Sequence, residues 1–79
     1  MNTLPTYETS DLTLAAALRA YDVQLDRIIL TEKKRGVFCF TNVPYHLLEQ
    51  FDLQQLSVEP FAFHQLIIKL STAVRRLKE

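Results

Sequence analysis

From Pro60 to Glu79 the apolar residues keep a helical rhythm. Phe63, Leu66, Ile67, Leu70, Val74 and Leu77 recur at i, i+3, i+4, i+7, i+11 and i+14, with Ala73 in the same stripe. That spacing lines one face of an α-helix. A long helix with one apolar face must be covered, so the rest of the chain has to supply a core. Within 79 residues this means one small domain spanning 1–79,. A hydrophobic fraction of 48% with a single glycine and three prolines fits a packed domain and argues against a disordered segment,. Pro60 belongs at the first position of this last helix, where its missing N–H costs nothing.

The remaining elements follow from local signals. Residues 1–8 read as an extended lead-in, since Pro5 disfavours helix before it. Thr9, Ser10 and Asp11 are all capping residues, and Asp11 also suits the positive end of a helix dipole. The first helix begins there, with Leu14, Ala15, Leu18 and Tyr21 sharing a face and Ala15, Ala16 and Ala17 allowing close approach. Asp22 ends it, since Asp tolerates a left-handed backbone better than most residues. Val23–Thr31 reads as a strand whose alternation slips around Arg27-Ile28-Ile29-Leu30, the mark of a bulge or of burial on both faces near its end. Glu32–Gly36 is the turn, with Gly36 expected to take a positive φ. Val37–Thr41 is the return strand, apolar on both faces and therefore central. Pro44–Phe51 forms a second helix, and Leu56-Ser57-Val58 suits a short third strand. The fold class predicted is α+β, in the order α-β-β-α-(β)-α. An antiparallel hairpin packs against the N-terminal and long C-terminal helices, and the second helix closes one edge.

The stretch Tyr7-Glu8-Thr9-Ser10-Asp11-Leu12-Thr13-Leu14-Ala15-Ala16-Ala17-Leu18 resembles the opening of a family of short bacterial and phage-associated proteins of unknown function. Members of that family combine Thr-Ser-Asp-Leu with a Leu-Ala-Ala helix, a β-hairpin and a C-terminal helix entered through an acidic-Pro step. Glu59-Pro60 matches that step. The chain differs in having Asp22 where the family favours Gly, and Glu49-Gln50-Phe51-Asp52 where it carries an aromatic residue with Asn-Gly. The resemblance implies the fold and brings no catalytic residue with it.

Nine basic and nine acidic side chains cancel overall, but not locally. Residues 1–32 hold five acids and two bases, a balance of −3, and residues 33–79 hold seven bases and four acids, a balance of +3. Lys33, Lys34 and Arg35 gather at the hairpin tip, while Arg75, Arg76 and Lys78 close the last helix. Lys33, Lys34, Arg35, Arg75 and Arg76 are therefore candidate nucleic-acid contacts, with Tyr45, Phe38 or Phe40 as stacking partners. The competing explanation is a solvated turn and a helix end whose cations complement its dipole.

Catalysis and metal binding find little to build on. Cys39, His46 and His64 show no metal-ligand spacing. Cys39, between Phe38 and Phe40, reads as a small buried hydrophobe, not an activated thiol. One glycine cannot make a phosphate-cradling loop. No enzyme activity, cofactor, metal or small-molecule substrate is expected. No apolar run nears the ~20 residues of a membrane span. Met1-Asn2-Thr3-Leu4-Pro5 has no secretory pattern, so a cytoplasmic setting is expected.

Ile68, beside His64, lies outside the core stripe and widens the apolar surface of the last helix. His64 and Ile68 are thus a candidate association surface. The leading expectation is a non-catalytic protein-interaction or assembly module, with a homodimer as its simplest form. The alternative is a small nucleic-acid-binding or regulatory accessory protein using the basic hairpin tip and the basic helix end.

Overall fold

The computed structural model describes residues 3–79. The chain is α+β: strand β1 (Thr3–Thr9), helix α1 (Leu12–Ala20), strands β2 (Gln24–Leu30) and β3 (Gly36–Pro44), and helices α2 (Tyr45–Asp52) and α3 (Pro60–Lys78). The three strands form one antiparallel sheet in the order β1-β3-β2. The expected lead-in is thus a strand of the sheet from Thr3 onward, and its first two residues lie outside the described residues. The third strand was expected at Leu56–Val58 instead. That segment is unpaired, because β1 already occupies the free edge of the central strand. Among the described residues no helix is long and apolar enough to cross a membrane.

The hairpin forms where the sequence predicts it, but its bulge falls at Asp26, just before the Arg27–Leu30 stretch, which alternates regularly. Pairing runs Gln24↔Thr41 and Leu25↔Phe40, then resumes at Arg27↔Cys39, leaving Asp26 as the extra residue on β2,. This shift lets Leu25 and Ile28, three apart, both turn inward. A left-handed residue lies across the sheet, Asn42 at φ 53°, with the β1–β3 register unbroken past it. It returns Val43 to the core, where it is fully buried while Asn42 is exposed.

The sheet's inner face presents Phe38 and Phe40. They share one cluster with Leu14 and Leu18 of α1, Leu47 of α2 and Leu70 of α3. In α1 every residue from Leu14 to Leu18 is buried. The helix is covered around its circumference, and Ala15, Ala16 and Ala17 let its neighbours approach closely. From α3, Phe63, Leu66, Ile67 and Val74 add partly buried contacts. Leu77, expected in the stripe, is 46% exposed. Gly36 meets the helix at Val74, and Leu77, most of a turn beyond it, lies outside that contact.

Candidate functional site

The hairpin tip is a three-residue loop. The amide of Thr31 donates to the carbonyl of Arg35 and that of Lys34 to the carbonyl of Thr31, both at 2.9 Å, while the Arg35 amide donates to Thr31 Oγ1 at 3.1 Å. A type I turn followed by one left-handed residue closes such loops. That residue is Lys34, at φ 66°. Gly36 was expected to supply the positive φ and does not. The left-handed step is taken two residues earlier, because the loop needs it immediately after its type I turn.

Gly36 has another role. A Cβ on it would stand 2.6 Å from Val74 Cγ2 and 2.9 Å from Cγ1. The hairpin exit therefore lies directly on the last third of α3, and two basic clusters far apart in sequence become neighbours. Lys33, Lys34 and Arg35 line one side of a groove of about 340 Å³, and Lys78, Ser71 and Ser10 line the rest. Its apolar floor comes from Leu12, Val74 and the buried Phe38.

Among the sequence-derived candidates, Lys33, Lys34 and Arg35 meet in this groove. Arg75 adjoins it, about 60° round the helix from Lys78. Arg76 does not line it, since it projects about 160° away from Lys78. Lys78 and the two serines enter the site only through the fold. Lys78 was visible as part of a basic helix end, but nothing local singles it out from Arg76.

The outward face of α3 is a separate surface. Ile68 is 45% exposed and His64 is also exposed. Two turns before Ile68, Phe61 is 70% exposed. Seven residues apart, Phe61 and Ile68 lie on one line along the helix, and Arg75 continues it. Phe61 is not singled out by the sequence, because it lies off the apolar period that runs from Phe63 to Leu77. The same helical projection sets it opposite Leu70.

Glu59 begins this helix. Its Oε2 accepts from the Phe61 amide at 3.0 Å and its Oε1 from the Ala62 amide at 2.8 Å. These two hydrogen bonds, Ala62 first, hold its carboxyl below the ordinary glutamate value,. Tyr21 Oη donates to the Ser57 carbonyl at 2.6 Å, tying the loop before α3 to the end of α1.

Other reactive groups stay dispersed. Cys39 is 6% exposed on the outer face of the sheet, paired with Glu8 on one side and Arg27 on the other. Its thiol reaches the Glu8 carboxylate at 3.8 Å. His46 lies on α2 and His64 on the outer face of α3. Among the described residues no three His, Cys, Asp or Glu side chains gather as a metal site. Phe38 and Phe40, considered for base stacking, are 2% and 1% exposed and belong to the core. Tyr45 is exposed, but at the opposite end of β3 from the groove. No protein-family model, curated protein or solved structure matches this chain.

Proposed function

We propose that this chain is a non-catalytic association module that pairs with a second copy of itself through the outward face of α3. The carrying observation is the line Phe61–Ile68–Arg75, whose two apolar members are exposed on the side of α3 away from its buried Leu70. The line is self-complementary. A twofold axis at Ile68 sets Ile68 on Ile68 and, seven residues to either side, Phe61 on Arg75 of the second copy. An arginine over an aromatic ring is attracted by the ring's negative face.

Charge supports the antiparallel arrangement. Asp22, Asp52 and Glu59 lie where α1 and α2 end and α3 begins, with Arg19 and Lys69 beside Glu59, and the basic groove lies at the far end. Antiparallel pairing sets the Glu59 end of one copy beside Arg75 and Arg76 of the other. The sheet edges are poor alternatives. β1 carries Pro5 and β2 carries the bulge at Asp26, two devices that discourage strand-to-strand association,.

A single helix pair buries an area at the low end of specific interfaces, so pairing is expected in the micromolar range. Sedimentation velocity over a concentration series measures it. Ile68→Glu sets two carboxylates face to face at the axis and is expected to weaken pairing at least about tenfold, a loss of ~1.4 kcal/mol or more. Phe61→Ser acts in the same direction. Both side chains lie outside the core, so the circular dichroism spectrum is expected to stay unchanged. A strict monomer at several hundred micromolar, or a dimer indifferent to both changes, rejects the proposal.

A further inference from the structure

We infer that the groove between the hairpin tip and the end of α3 is a docking site for the phosphate backbone of double-stranded nucleic acid. The cations come from opposite walls. Lys33, Lys34 and Arg35 stand on the hairpin and Lys78 on α3, with Ser10 and Ser71 offering hydroxyls between them. Cations straddling a trough are suited to a polyanionic strand lying in it, and lysine ammonium groups neutralise phosphates as point charges. The scaffold is rigid where this matters, because the Gly36–Val74 contact locks the two walls together.

A zero net charge does not oppose this site. Asp22, Asp52 and Glu59 lie at the other end of the molecule, and Glu8, on β1 opposite Cys39, does not line the groove. Of the acids near the groove, Asp11 is committed to α1, where its Oδ1 accepts from the amides of Thr13 and Leu14. Glu32 and Glu79 are exposed and do not line the groove.

The chemistry also selects among polyanions. Single-stranded recognition relies on aromatic platforms, and the only aromatic residue lining this groove is the buried Phe38. A lipid surface would be met by exposed apolar side chains, and the apolar residues lining this groove, Leu12, Phe38 and Val74, are buried or half-buried. Contacts to backbone alone carry no sequence information, so binding should be indifferent to sequence. The site does not depend on pairing through α3.

Fluorescence anisotropy of a labelled DNA duplex against salt tests the site. Four phosphate contacts predict a log–log slope of roughly −3.5. Two single substitutions isolate the groove, Lys34→Gly and Lys78→Gln. Each is expected to lower affinity roughly tenfold at about 50 mM salt and to reduce the slope by about one. Lys34→Gly also relieves a left-handed backbone, so the variant should be at least as stable as the parent and its weaker binding cannot be assigned to unfolding. Arg76→Gln, outside the groove, is expected to keep parental affinity. The inference is overturned by no binding at low salt, by equal losses for Arg76→Gln and Lys78→Gln, or by tighter binding of single strands than of duplex. Displacement of the duplex by poly-glutamate at equal charge would assign the groove to acidic protein and overturn it too. Repeating the titration with Ile68→Glu separates the two proposals, since a monomer should retain the groove and its slope.

Discussion

Gly36 is placed by a neighbour and not by its backbone. The positions with positive φ among the described residues are Asp22, Lys34, Asn42 and Gln54, none of them glycine. The chain's one glycine stands where a side chain would strike Val74. Gly36→Ala should therefore destabilise by about 1–3 kcal/mol through overpacking. Combining it with Val74→Ala should recover part of that loss, and a double-mutant cycle by urea denaturation would read the coupling. Asp22 is the converse case. Its φ of 63° closes α1 in a Schellman motif, with the Val23 amide on the Leu18 carbonyl and the Asp22 amide on the Arg19 carbonyl, both at 3.0 Å,. Asp22→Gly should stabilise by up to about 1 kcal/mol, the relief of the left-handed cost less the added freedom of the unfolded chain. A rise in thermal midpoint checks it. That a helix ends at Asp22 was legible in the sequence, whereas the contact over Gly36 joins residues 38 positions apart and has no local signature.

At the scale of elements, ends and periods were read well and partners were not. The start of α1 came from local hydrogen-bonding chemistry, where Asp11 caps it as its type suggests, and those of α2 and α3 from Pro44 and Pro60. Glu59 shows what a longer carboxylate can do in the same place, spanning two amides with its two oxygens. Its carboxyl is held below the ordinary value in the folded state. The resulting stability is therefore fully present above the ordinary glutamate pKa and is lost as pH falls through the lower folded value. Thermal melts of the parent and Glu59→Gln should differ near neutral pH and converge in acid. A gap independent of pH would mean that the carboxylate charge is irrelevant to the cap. The bulge was readable only in part: the slipped alternation pointed to Arg27–Leu30, whereas the extra residue is Asp26. The role of β1 was not legible. Thr3–Thr9 carries Pro5 and few apolar residues, and only pairing with β3 makes it a strand.

The whole molecule is electrically polar along its length, acidic where α1 ends and α3 begins and basic where α3 meets the hairpin. Both proposed surfaces draw on that polarity, and Arg75 lies between them. Pairing through α3 needs opposite ends to meet, while the groove needs cations from two walls. Composition showed the imbalance between the halves of the chain, but not that Lys33–Arg35 and Lys78 share one trough or that Arg76 turns away from it. The amino-acid sequence by itself determined the helices, the hairpin and the apolar face that demanded a core, because each depends on residues within a few positions of one another. The tertiary structure alone decided the third strand, the reason for Gly36, the exposure of Phe61 and the assembly of the groove. Those depend on which surfaces cover each other across the fold, and such contacts leave no period or spacing along the chain.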